Sequence, residues 1–563
     1  MQYNFNIKQI NPKILDLLND REYKSEEEIL EFLSMRPKKT YDPFLLLNMA
    51  EGVDLVLSAV ENEERICIYG DYDADGVTAT SILLEFLSNI TSNLSYYIPS
   101  RFDEGYGLNK TAMEKICKAG VDLVITVDCG SVSREEVEYG KNLGLKILVT
   151  DHHRADNERL PKCPVINPNQ PDCEYPFKGL AGCGVAFKLA QAVARTIGMQ
   201  SQTYNNTLDL VAIGTIADVM PLIDENRTLV KYGLMRLNSA SRKPLKKLIE
   251  EIGLKVGEVT SFNIAFGIAP HINSAGRIKA ARLGVKLFRS TSDDEIAEIV
   301  EIIKDCNKQR KTLQDEIYEE CLEKIKEEYK ITKRISDFIL IDLENAHEGV
   351  TGIVAGRLKE RFYHPVAILT KTEDGLFKGT SRSIDGFDIH SLLSNFSDLF
   401  INFGGHKAAC GFTISETNVS LLREGIGHLM KEELKKNPDL LKRKWSWDLQ
   451  LIPEDVTINF AQDLLMFEPS GKGNEKPTFA VDGKIANLKA IGNEAQYRRF
   501  QLVSEKSDSF VSCVCFGIEE GSIDELSEGG YVRVLGNISF NRWNGNISPQ
   551  MNVKKIFQKD NSE

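Results

Sequence analysis

The sequence predicts an α/β protein made of a doubly wound parallel-sheet domain, a long connecting helix, a smaller second α/β domain and a small C-terminal β-barrel. Three observations predict it. Short β-rich runs alternate with helix-like stretches through the first half, the signature of βαβ units. From about residue 292 to 330 the chain turns highly charged with a helical period, and its last part reads as closely spaced strands.

Residues 1–60 read as a helical segment, with a capping-box-like Ser25-x-x-Glu28 ahead of an apolar-periodic stretch. Over 61–285, RICIY, LSYYI, VDLVITV and LKILVT are strand-like, while VTATSILLEFLS and REEVEYGKNLG are helix-like. In 286–334, Ile317, Cys321, Ile325 and Tyr329 share one helical face, as in a helix joining two lobes; a solvated coiled-coil arm is the alternative. DFILIDL and HPVAILT as strands around the helix GIVAGRLKERF make a separate domain of 335–430. The Lys-rich KKNPDLLKRK then marks a surface boundary. In 431–563, TFAVDGKI, YRRFQLV, SFVSCVCF and YVRVLGNISF are strands, with Asn544-Gly545 as a hairpin turn, which suggests a small barrel.

Bulk properties narrow the class. At 563 residues the chain exceeds one ordinary core, and 42% hydrophobic with 27% charged residues is a globular composition. No apolar run reaches a membrane helix, and the start lacks the plan of a signal peptide, so a cytoplasmic protein is expected. The eleven cysteines contain no C-x-x-C, which argues against a zinc ribbon and a disulfide framework. A net charge of −13 argues against an unselective nucleic-acid coat, but a local basic groove can oppose the global balance.

The stretch GDYDADG crowds Asp71, Asp73 and Asp75 into five residues, a repulsion that water or a cation must offset. A calcium loop would need a bidentate glutamate where Ile82 stands, in a helix-like run. In open parallel sheets the ligand crevice lies beyond the carboxyl ends of the strands. VDLVITV ends in Asp128, LKILVT in Asp151-His152-His153, and Asp218, closing LDLVAIGTIADVMPL, arrives at a matching end. Each alone has an ordinary reading: Asp128 as an N-cap, His152 as a structural histidine, Asp218 as a solvated turn residue. Together they form a set of hard oxygen ligands with imidazoles, which suits Mn²⁺ or Mg²⁺, and its size suits a pair of ions. Two such ions about 4 Å apart can activate a hydroxide and stabilise the leaving oxygen of a phosphoester.

GDYDADG, VDCG, TDHH and IGTIADVMPL, in this order, resemble the four motifs of the DHH phosphoesterases. IPSRFDEGYGL, INSAGR, HEGVTGIVAGRL, GTSRSIDGFDI, GGHKAACGF and FEPSGKGN are similar to the bacterial single-strand-specific exonucleases of that family, from about Asp42 into the barrel. The resemblance implies a DHH domain, a DHHA1 substrate-binding domain and an OB-like barrel. It implies that Asp71 and Asp73 face one metal, that Asp75, His152 and Asp218 face the other, and that Asp128 bridges both. His153 would lie by the scissile phosphate, with Asp151 orienting a neighbouring histidine. Arg101, Arg277, Thr380, Ser381, Arg382 and the turn Gly404-Gly405-His406 would hold the nucleic-acid backbone or 5′-phosphate, a surface salt bridge being the ordinary reading of each arginine. On the barrel, Tyr497, Arg498, Arg499, Arg542, Trp543, Lys554 and Lys555 are candidate strand contacts, with core packing or solvation as the alternative. His271, Ser470 and Cys410 depart from the pattern, which has arginine, phenylalanine and alanine there.

The function so implied is metal-dependent 5′-to-3′ hydrolysis of single-stranded DNA to mononucleotides in repair and recombination. A tunnel between two lobes would exclude a duplex. The expected protein is a monomer away from membranes, with a single-strand-binding protein and a helicase as possible partners. One alternative is a phosphodiesterase of short oligoribonucleotides or cyclic dinucleotides, against which the barrel and the extra length argue. Another is a non-catalytic DHH-fold scaffold, which would carry broken motifs, whereas all are intact here.

Overall fold

The computed structural model describes residues 7, 10–101, 104–105, 107–492, 496–516, 526–543 and 546–559, without the side chains of Arg542 and Trp543. The chain divides into two compact units, one of Met1–Pro270, Gly284–Ala297 and Ser446–Glu563, the other of His271–Leu283 and Glu298–Trp445.

In the first unit, β1 (Ile66–Gly70), β2 (Leu94–Tyr97), β3 (Leu123–Val127), β4 (Lys146–Thr150) and β5 (Val165–Ile166) form a parallel sheet in the order β2-β1-β3-β4-β5. The strand order reverses between β1 and β3, so their carboxyl ends flank the crevice where such sheets bind ligands. Both strands are buried at every position, as continuous Val/Ile runs require. Helix Ala74–Leu87 leaves β1 buried nearly all round and packs on helices Gly182–Thr196 and Leu208–Ala217.

In the second unit, β6 (Ile339–Leu343), β7 (Val366–Lys371), β8 (Leu376–Arg382), β9 (Phe400–His406) and β10 (Ala409–Ser415) form a mixed sheet in the order β6-β7-β8-β10-β9. Helix Asp293–Thr332 is continuous over 40 residues. Its Ile317, Cys321 and Ile325 share a core with β6 and β7, so this part is packed and is no free arm. Tyr329 does not continue the stripe: it is half exposed, one turn beyond the last buried contact.

The barrel belongs to the first unit. It comprises β11 (Leu449–Leu451), β12 (Phe479–Ile491), β13 (Tyr497–Val503), β14 (Phe510–Cys515), β15 (Tyr531–Trp543) and β16 (Asn546–Gln558). Five strands close through the β12–β15 pairing, and β11 adds to β12. The expected Asn544-Gly545 turn lies outside the described residues. The N-terminal helices Pro12–Asp20 and Glu26–Leu33, the latter begun by the Ser25/Glu28 capping box, share one core with the barrel through Leu17, Phe32, Phe460 and Phe479. Arg227 of helix Asp224–Asn238 fastens this core to the parallel-sheet domain. It is buried, stacks 3.9 Å over the Phe32 ring, and donates to the carbonyls of Phe32, Met466 and Phe467 at 2.9–3.2 Å. Among the described residues no helix is long and apolar enough to cross a membrane.

Candidate metal centre and strand-binding surfaces

Asp71 follows β1 directly. Asp73 caps helix Ala74–Leu87, its Oδ1 accepting from the amides of Asp75 (2.9 Å) and Gly76 (3.0 Å). Asp75 sits in the first turn of the same helix and is gripped from across the domain: Gly182 N donates to its Oδ2 (2.6 Å) and Cys183 N to its Oδ1 (2.9 Å). These amides open helix Gly182–Thr196, whose positive end favours a carboxylate. Asp128 follows β3 with φ of 62°, a conformation that short polar side chains tolerate best. Asp151, His152 and His153 follow β4.

Asp218 arrives differently from expectation. LDLVAIGTIA is a helix, Leu208–Ala217, buried from Leu208 to Ile216, and Asp218 is its C-cap, so a helix end rather than a strand end supplies this ligand. A short run that is apolar on every side has no period to separate helix from strand.

Three overlapping groups result, each with ligand atoms within 4.8 Å of one another: Asp71, Asp73 and Asp128; Asp75, His152 and Asp218; Asp128, His152 and His153. His152 Nε2 lies 3.1 Å from Asp128 Oδ1, 3.6 Å from Asp218 Oδ2 and 3.9 Å from Asp75 Oδ2. Asp71 Oδ1, Asp128 Oδ1 and His152 Nε2 are buried and make no hydrogen bond. Buried polar atoms left without partners are costly, and a cation offsets that cost.

Electrostatics agree with this. Burial, reinforced by neighbouring carboxylates, holds Asp71 and Asp128 well above the usual carboxylate range, raises Asp73, and pushes Asp218 up to about 8. Burial holds His152 below its ordinary value, hence neutral and fit to be a ligand. Burial works against both members of the Asp151–His153 pair, but their hydrogen bond (2.8 Å) prevails: Asp151 stays ionised below its usual range, and His153 is raised to about 9.

Residues that no motif announced complete the site. Asp151 also accepts from the amides of His152 (2.7 Å), His153 (3.1 Å) and Ser131 (2.9 Å). Beyond β5, Asn169 donates to the His152 carbonyl (2.6 Å), and the buried Asn167 donates to the His153 carbonyl and to Ser131 Oγ (both 2.8 Å). Gly182 leaves room for Asp128: a Cβ there would stand 2.6 Å from the Asp128 Cβ. Asn167 and Asn169 stand in INPNQ just after a strand, the one cue that the sequence offered for them.

The candidate strand-binding residues fall into separate places. In the first unit, the Arg101 guanidinium stacks 5.1 Å over Tyr72, the residue between Asp71 and Asp73. In the second, rows of the β8–β10–β9 ladder bring Arg382 beside Ala409 and His406, and Thr380 beside Gly411 and Gly404. Strand alternation corrects one expectation: Ser381 is buried on the opposite face, its hydroxyl bonded to the carbonyl and amide of Cys410 (both 3.1 Å), so it braces the sheet instead of facing a ligand. Cys410 is buried with it. Gly405 has φ of 145°, and a Cβ there would meet the Ala409 carbonyl at 2.4 Å. Arg277 donates to the Gly349 carbonyl (2.6 Å), and His271 bonds Asn307 (2.9 Å). On the barrel, Tyr497 meets Phe516 edge-on, Arg498 and Arg499 flank it on β13, and Lys554 on β16, next to Lys555, donates to Thr478. Arg542 and Trp543 pair through their backbones with Ile547 and Asn546, and their side chains lie outside the described residues.

A parallel sheet with an aspartate–histidine centre at its switch point, followed by a second mixed-sheet domain, defines the class: residues 65–215 match the DHH family, N-terminal domain, and residues 336–432 the DHHA1 domain. Residues 447–555 match the RecJ OB domain. The chain is 35% identical over 548 residues to the single-stranded-DNA-specific exonuclease RecJ of Bacillus subtilis, covering 97% of this chain and 68% of that protein. It is 30% identical over 553 residues to the same-named protein of Haemophilus influenzae, covering 96% of each. The chain belongs to the RecJ family. Its fold matches the crystal structure of RecJ from Thermus thermophilus in complex with Mn²⁺ with a TM-score of 0.83, at 28% identity, over 98% of this chain and 76% of that one. A structure of exonuclease RecJ bound to manganese matches with a TM-score of 0.61, at 32% identity, over 70% of this chain and 98% of that one.

Proposed function

We propose that this chain is a metal-dependent exonuclease that removes mononucleotides from the 5′ end of single-stranded DNA. The observation that carries the reading is the set of buried, unpartnered ligand atoms, Asp71 Oδ1, Asp128 Oδ1 and His152 Nε2, turned toward one another at the switch point. Asp71, Asp73 and Asp128 would hold one Mn²⁺ or Mg²⁺, and Asp75, His152 and Asp218 the other, with Asp128 shared. Such a pair, when bound, supplies an activated water and charge neutralisation on the scissile phosphate.

The chain's own residues supply the rest. Asp75 is fixed by two amides of a helix end, so its carboxylate keeps one orientation. His153 carries its proton at neutral pH, because Asp151 fixes Nδ1 and favours the charged ring, and its side chain is 44% exposed. This suits it to donate a proton or hydrogen bond to a phosphate oxygen. Arg101 in the first unit, and Thr380, Arg382, His406 and the Gly404-Gly405 backbone in the second, are the groups for phosphates along the strand. The barrel is the candidate single-strand platform. Family resemblance adds a monomer working in cytoplasmic repair and recombination beside a single-strand-binding protein and a helicase.

Time-resolved products from 5′-labelled and 3′-labelled strands of DNA and RNA, with and without Mn²⁺, test the reading. Mononucleotides released from the 5′ end of single-stranded DNA only with metal are expected; equal digestion of a blunt duplex would overturn it. Asp128→Ala should abolish turnover while leaving strand binding, and near-normal activity would refute the shared ligand.

A further inference from the structure

Phe262 and Phe266 are 55% and 72% exposed, yet they face each other with centroids 4.6 Å apart and planes 34° apart. A turn of π-helix at Ile264–Ile268 puts both on one outward face, and such turns often mark functional sites. Leaving two adjacent phenyl rings in water is unfavourable unless something covers them.

The segment is anchored to the catalytic unit on two sides. It packs against helix Leu208–Ala217, the helix that Asp218 closes. Ser261, directly before Phe262, donates to the Ser470 carbonyl (2.7 Å) and to Glu468 (3.1 Å).

We propose that Phe262 and Phe266 form a stacking platform for unpaired bases of the single strand entering the metal centre. This rests on the reading of the chain as a single-strand exonuclease. A base has two apolar faces to cover once it is unstacked, and a phenyl face accepts any base, which suits an enzyme that must degrade every sequence. A duplex keeps its bases stacked on each other and gains nothing from the platform.

The test is KM and kcat on a 5′-labelled 20-nucleotide strand with Mn²⁺, for wild type, Phe262→Ala/Phe266→Ala, Phe266→Trp and Phe266→Leu. Loss of one stacked base should raise KM by roughly 5- to 140-fold with kcat changed less than about twofold. Trp should keep the wild-type KM, while Leu, apolar but without a π face, should not. Ile331→Ala, which removes an 84% exposed apolar side chain elsewhere, is the control and should change nothing. An unchanged KM in the double variant, or full rescue by Leu, would overturn the platform. So would a wild-type dimer that the double substitution splits without altering KM, which would assign the face to a second copy. Wild-type failure to degrade the strand at all would instead refute the exonuclease reading.

Discussion

Loading ion-free protein with Mn²⁺ should release protons into solution. Burial and mutual repulsion raise four carboxyls of the centre, Asp71, Asp73, Asp128 and Asp218. For Asp218, at about 8, the count can be worked out: near pH 7 it is about nine-tenths protonated, so filling its site expels about one proton. A carboxyl raised from 3.8 to about 8 separates its two protonation states by about 6 kcal/mol relative to an exposed one. The stabilisation that the protonated form gives the ion-free fold is complete below pH 3.8 and is lost as pH climbs through about 8. Ion-free protein should therefore melt lower as pH rises across that window, and Mn²⁺ should restore more stability at the alkaline end. Titration calorimetry of Mn²⁺ in buffers of differing protonation heat reads the count as a slope. A slope near zero at neutral pH would refute the reasoning, because the carboxyls would then be ionised without the metal. Asp218→Asn should lower the count by about one.

Asp151→Asn removes the carboxylate that raises His153 to about 9, so the alkaline limb of kcat should move down toward an ordinary histidine value of roughly 6.5; an unmoved limb would mean that His153 is not the proton donor. Gly182→Ala changes no ligand yet drives a methyl into Asp128, and Mn²⁺ affinity measured by calorimetry should fall about 10-fold or more, while the Gly427→Ala control, with open space around it, should bind Mn²⁺ like the wild type. Ending the chain at Leu440 removes the Met466 and Phe467 carbonyls that Arg227 needs. The remainder should lose on the order of 3 kcal/mol in denaturant unfolding, and wild-type stability would make the barrel a detachable accessory.

Most of the candidate metal centre was legible because β1, β3 and β4 are largely buried apolar runs, each followed by an aspartate that must fall at the crevice. Asp71, Asp128 and Asp151 needed only that rule and the strand order. Asp218 was legible as a residue but not as a helix cap, since a decapeptide whose only polar residues, Asp209 and Thr215, are themselves buried carries no amphipathic period. Ser381 was carried over by resemblance together with Thr380 and Arg382, although period-two alternation puts it on the opposite face from both. Gly182, Asn167 and Asn169 left little trace because their roles are contacts with residues distant in sequence. The union of the N-terminal helices with the barrel was hidden for the same reason: Leu17 and Phe479 belong to one core although almost the whole chain separates them.

Arg227 joins barrel to catalytic domain through uncharged oxygens, its own side chain buried against the Phe32 ring. Added salt screens exposed ion pairs and displaces nucleic acid from basic surfaces, but it has little hold on a buried cation bonded to carbonyls. The salt dependence of strand affinity should therefore count the phosphates that the protein neutralises, uncontaminated by movement of the barrel.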